Sequence, residues 1–162
     1  MASQLRIILV LVLIQCSLSS ENQPVNDIVG WIEHFGYPVE VHHATTEDGF
    51  ILGLYRISHG KDGKLDGLRP PVLLEHALLD CATSWVVNSP TESLGYILAD
   101  AGFDVWLGNN RGNTYSKNHT TLSPDDKRFW KWSFDEMALI DLPTMINYVL
   151  KASKHKSLSY VG

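Results

Sequence analysis

Leu158-Ser159-Tyr160-Val161 is a short, β-prone run that ends on Gly162. A buried strand running into a glycine is how the turn G-x-S-x-G begins, a strained strand-to-helix bend that exposes a nucleophilic serine. On this reading Gly162 is the first glycine of the turn and the serine stands two residues further on. The 162 residues would then be the front of an enzyme, ending before its catalytic residues. A second stretch is Val72-Leu73-Leu74-Glu75-His76-Ala77-Leu78-Leu79. Acyl transfer needs backbone N–H groups aimed at the developing oxyanion, and a loop after a buried strand, often led by a His-Gly dipeptide, supplies one. Here the dipeptide is His76-Ala77, and an ordinary structural histidine at a strand end reads equally well.

Trp106-Leu107-Gly108-Asn109-Asn110-Arg111-Gly112-Asn113 is a tightly turning loop at another strand end. Arg111 could pair with a carboxylate and brace the floor of a site. The preferred reading is a structural turn in which Arg111 fixes backbone carbonyls, because nothing in the loop is a nucleophile. Ser116, Ser123 and Ser133 lie in no nucleophile-turn context. None of the seven histidines forms a metal-ligand spacing with cysteines or carboxylates, so neither a metal nor another cofactor is expected. His42 and His43 are adjacent on a strand and point to opposite faces. Trp130 and Trp132 flank Lys131; the pair reads as packing, with contact to lipid as the other use of an exposed pair.

Positioning such groups takes a folded domain, and the totals allow one. Hydrophobic residues are 44% and charged residues 19%, an ordinary globular composition. The net charge is −5 without a basic cluster, which argues against nucleic acid. Arg6 precedes the apolar run 7–14, and small polar residues follow, Ser17 and Ser19 among them. This pattern predicts a signal peptide over residues 1–19 and entry into the secretory pathway. The run is too short to span a bilayer, which takes roughly 20 residues. Of the two cysteines, Cys16 would leave with that peptide. Cys81 is then a buried free thiol or has a partner further along, the free thiol being preferred. Asn118-His119-Thr120 is a glycosylation sequon, expected on an exposed loop.

Val39 to Thr45 and Phe50 to Ile57 read as an antiparallel hairpin around the turn Thr46-Glu47-Asp48-Gly49. Val72 to Leu74 reads as a strand buried on both faces. Ser89-Pro90-Thr91-Glu92 predicts a capped helix start, with Leu94, Ile97, Leu98 and Ala101 on its apolar face and Gly102 at its end. Phe103 to Leu107 is the next strand. A second capping box, Ser133 to Glu136, opens a helix with Ala138, Leu142, Met145, Ile146, Val149 and Leu150 on one face. Pro143 predicts a kink or a restart of the helix near Asp141. Leu158 to Val161 closes a strand–helix–strand–helix–strand alternation, which implies a parallel sheet with right-handed crossovers, an α/β fold.

Several longer runs resemble the N-terminal half of the acid lipases, the gastric and lysosomal group with its insect relatives. These are Ile32 to Glu40, Thr45 to Leu52, and Leu98 to Asn109 with Arg111-Gly112-Asn113. Asn118 to Pro124, Phe134 to Met137 and Asp141-Leu142-Pro143 also match. The resemblance runs from about Val25 to Gly162. It implies the N-terminal part of an α/β-hydrolase lipase domain over residues 20–162. It implies cleavage of lipid esters such as triacylglycerols or cholesteryl esters by a Ser-Asp-His triad, all three members of which would follow Gly162. A helical cap would follow as well. The one catalytic contribution to carry over is the oxyanion N–H of Leu78. There Ala77 stands where the family has glycine, and an alanine is strained if the position needs a positive φ or a close backbone approach. Secreted and lysosomal destinations both fit, and the oligomeric state is left open.

Overall fold

The computed structural model describes residues 27–63 and 67–162. The expected signal peptide, residues 1–19, lies outside them. Helix α1 (Ile28–His34) starts where the Asp27 carboxylate accepts the Gly30 N–H at 2.7 Å. Strands β1 (Glu40–Thr45) and β2 (Phe50–Ile57) form the expected antiparallel hairpin, paired from Glu40↔Arg56 to Thr45↔Ile51. Its turn is tied by the Thr46 hydroxyl, which donates to Asp48 Oδ1 at 2.6 Å, and Gly49 supplies a φ of 98°.

β3 (Pro71–Leu74), β4 (Asp104–Leu107) and β6 (Ser159–Val161) are mutually parallel, and the short β5 (Asn118–His119) pairs with β2. The sheet order is β1-β2-β4-β3-β6. From β3 the chain steps to β4, then returns past β3 to β6. Two right-handed crossovers made in opposite directions must lie on opposite faces of the sheet. Accordingly α2 (Leu94–Asp100) packs with α1 over Tyr55, Ile57, Val72, Leu74, Val105 and Leu107. On the other face α4 (Leu142–Ser153) brings Met145 and Val149 onto Leu52, Leu54, Leu73 and Trp106. The central strands are buried on both sides, as the apolar run at Val72 to Leu74 predicts.

Three details depart from the expectations. Helix α2 begins at Leu94, five residues after Ser89. The Ser89 hydroxyl donates to the Glu92 carboxylate at 2.8 Å instead of capping backbone, so Ser89–Glu92 closes a turn of its own. The face that α2 buries is Gly95, Tyr96 and Ala99, while Ile97 is exposed. β6 is not a buried strand: it forms one edge of the sheet, and all three of its residues are exposed. Near Pro143 the helix restarts at Leu142, as expected, after a widened turn. After α3 (Phe134–Glu136), capped by the expected Ser133–Glu136 box, comes a π-helical turn, Met137–Asp141. There the Leu142 N–H reaches back five residues to the Met137 carbonyl, which lets the helix pass a proline that has no N–H to give.

Candidate functional site

The reversal of strand order falls at β3, and a parallel sheet opens a crevice at the carboxyl ends of its strands at such a point. A cavity of about 550 Å³ lies there. Its walls bring together every sequence-predicted site residue except Asn118: His76, Ala77 and Leu78 after β3, Arg111 after β4, and Gly162 after β6. Trp130, Trp132 and Phe134 stand at its apolar side. The Trp130 and Trp132 ring centroids are 6.1 Å apart, and Trp130 is partly exposed. Asn118 is exposed on β5 and does not line the cavity.

The loop after β3 is a turn in which the Asp80 N–H donates to the Ala77 carbonyl at 3.0 Å. Its left-handed residue is Leu79, at φ 67°, and Ala77 is not at positive φ. The φ strain feared at Ala77 therefore does not arise there; the loop places it two residues later. Leu78 is exposed at the crevice, and among the described residues no hydrogen bond takes its N–H.

His76 sets the loop. The Asn110 backbone N–H donates to His76 Nε2 at 3.2 Å, so that nitrogen carries a lone pair. Nδ1 therefore holds the proton and donates to the Ala77 carbonyl at 2.9 Å. The Asn113 amide adds a second donor to Nε2 at 3.0 Å and a bond to Asn109 Oδ1 at 2.8 Å. Asn109 in turn receives the Ala82 N–H and donates to the Gly53 carbonyl. The asparagines of the β4 loop are thus the braces of the β3 loop. Burial lowers the His76 pKa and keeps the ring neutral.

Arg111 differs from the preferred expectation: its partners are carboxylates, not backbone carbonyls. The guanidinium forks onto Asp141 through Nε (2.9 Å) and Nη2 (2.7 Å) and onto Asp48 through Nη1 (2.6 Å). It also lies 4.1 Å from the centre of the Phe50 ring. Asp141 is fully buried at the end of the π turn, where it also accepts the Arg111 backbone N–H. Burial raises the Asp141 pKa against the pull of Arg111. At Asp48 burial also pushes upward, but the Arg111 bonds prevail and hold the carboxylate low.

Sequence reasoning passed over Glu75. Its carboxyl sits between the ends of β4 and β6: a Cβ on Gly108 would collide with its Oε2, and one on Gly162 would lie 3.2 Å from its Cβ. Both oxygens are buried without a hydrogen-bond partner among the described residues. Burial, with the charge of Asp141, pushes its pKa up to about 8. The 3.5 Å approach of Oε1 to His76 Nε2 is not an ion pair, since the ring is neutral and that nitrogen is an acceptor. The signal that could have found Glu75 is a lone charge closing a doubly buried strand.

Cys81 lines the crevice, buried, and is not a free thiol, which corrects the preferred expectation. Among the described residues no group of His, Cys, Asp or Glu is arranged to hold a metal ion, and no helix is long and apolar enough to cross a membrane.

Comparison with known proteins adds the following. The family described as "Partial alpha/beta-hydrolase lipase region" matches residues 28–89, and "alpha/beta hydrolase fold" matches residues 70–162. The chain is 53% identical over 132 residues to gastric triacylglycerol lipase of Bos taurus, covering 81% of this chain and 33% of that protein. It is 47% identical over 165 residues to lipase member M of Mus musculus, covering 96% and 39%. It spans well under half the length of these relatives. An esterase of Pyrococcus furiosus superposes with a TM-score of 0.58 at 16% identity, over 88% of this chain and 48% of that one, a likeness of fold.

Proposed function

The chain belongs to the α/β-hydrolase fold family, in its acid-lipase branch, and from that premise we propose that it is the N-terminal part of a secretory-pathway hydrolase of lipid carboxylic esters. The observation that carries this reading is the meeting of the His76–Leu78 loop with Gly162 in one crevice at the point where strand order reverses. In the complete protein a serine two residues past Gly162 attacks the ester carbonyl, with an aspartate and a histidine further along. The Leu78 N–H then donates to the oxyanion. Triacylglycerols and cholesteryl esters are the substrate class, and the apolar wall of Trp130, Trp132 and Phe134 suits an acyl chain. Residues 1–19 act as the signal peptide, Asn118 carries the glycan, and the destination is the cell exterior or the lysosome.

Two measurements test this. Sequencing the transcript past residue 162 is expected to read x-Ser-x-Gly next. The purified 162-residue chain is expected to take no label from a serine-directed fluorophosphonate. Stoichiometric labelling of this chain defeats the reading. The same apolar wall also fits a second role, a non-catalytic secreted form that holds lipid. A soluble, cooperatively unfolding monomer that binds a fatty-acyl probe without turnover favours that role.

A further inference from the structure

We propose that Glu75 is a positioning residue that acts through His76: as an uncharged acid it leaves His76 Nε2 free to accept from Asn110 and Asn113, and so holds the Ala77–Asp80 turn that presents the Leu78 N–H. The use of that N–H as an oxyanion donor rests on the function proposed above; the coupling of Glu75 to the turn does not.

The geometry supplies each link. Glu75 is enclosed where the ends of β3, β4 and β6 converge, with both oxygens unpartnered among the described residues. Every charged or titratable group facing it disfavours a carboxylate or is already engaged. Asp141, from the π turn, is acidic, and the Arg111 charge beside it is taken up by Asp141 and Asp48. Tyr160, from β6, is a phenol whose own pKa is raised by burial and by Glu75. Met145, from α4, and Gly108, after β4, bring no charge. Among the described residues no free positive charge faces Glu75 to answer a carboxylate. As pH rises the Glu75 proton goes to water, and the carboxylate left behind faces the Nε2 lone pair of a neutral ring 3.5 Å away. That repulsion pushes the ring away and strains the bonds that Nε2 accepts from the Asn110 N–H and the Asn113 amide. Those two bonds are the ring's ties to the β4 loop, and its Nδ1 bond to the Ala77 carbonyl is its tie to the turn.

The test is a titration of the 162-residue chain by nitrogen-15 NMR, following the His76 ring nitrogens and the Leu78 amide through the region of about 8. The expected result is one common step in which the His76 Nε2 and Leu78 signals shift together. In Glu75→Gln, an uncharged isostere, that step disappears while the low-pH positions of both signals are kept. Asn113→Ala, which leaves Glu75 untouched, is expected to displace the Leu78 amide already at low pH. A Leu78 amide that stays put while Glu75 ionises overturns the proposal, as does a step that survives in Glu75→Gln. The wild-type titration alone decides if the glutamine variant does not fold. Absence of esterase activity in the complete protein would sink the functional reading and leave this coupling standing.

Discussion

Glu75 places an uncompensated acid where the chain has spent glycines to admit it. Its pKa of about 8 lies above the ordinary 4.5, so the folded state holds a proton that the unfolded chain gives up. The sign follows from linkage: the contribution of Glu75 to stability is complete below about 4.5 and is lost as pH rises toward 8. The slope of that loss is about 1.4 kcal/mol per pH unit for one fully shifted group. Glu75→Gln is therefore expected to match wild type in acid and to exceed it by a few kcal/mol at mildly alkaline pH. Urea denaturation of both proteins across that range checks it, and parallel stability curves would show that Glu75 is ionised in the fold. His76 is neutral for a related reason, burial, and its tautomer is dictated by a backbone donor that has no alternative role.

Of the two helix starts that the sequence predicts, it describes one and misplaces the other, and α1 is not among them. Ser133 and Glu136 make the box that their spacing predicts, with the Ser133 N–H donating to the Glu136 carboxylate at 2.6 Å. Ser133→Ala is expected to cost about 1 kcal/mol, read from a thermal or chemical melt. Ser89 and Glu92 have the same spacing and both serines donate to their glutamates, but only Ser133 also accepts a backbone N–H, that of Asp135 at 3.1 Å. The buried face of α2 was hidden for a different reason. Gly95, which has no side chain to signal burial, lies against the Trp85 carbonyl, where a Cβ would come within 2.9 Å. β1 to β4, the hairpin and the α4 face were legible because periodicity reports burial directly, whereas β5 carried no such signal and β6 is exposed. The position of the crevice was legible once strand order was. The chemistry inside it was less so: Asp48, Asp141 and Asn109 act through partners 27 to 63 residues away, and Glu75 through its enclosure by the ends of β4 and β6, beyond any local pattern.

In the complete arrangement, two crossovers of one hand but opposite direction clothe both sheet faces and leave the strand ends bare between them. The crevice is thus a product of connection order, and its lining comes from loops on every strand that reaches it. Arg111 is the fastening of those loops. Arg111→Met strands the fully buried Asp141 carboxylate, and breaking a buried pair in this way is expected to cost about 3–5 kcal/mol in an equilibrium unfolding measurement. A loss below about 1 kcal/mol, the range of a surface pair, would show that the hub bears little.

That fastening has a kinetic face. One guanidinium holds Asp48, 63 positions away, and Asp141, 30 positions away, so neither the hairpin tip nor the widened helical turn can swing out without disturbing the other. Amide hydrogens in the two regions should then swap with solvent deuterium through a single shared opening event, as a cooperative unit does. Methionine at position 111 should break that shared rhythm into two independent ones.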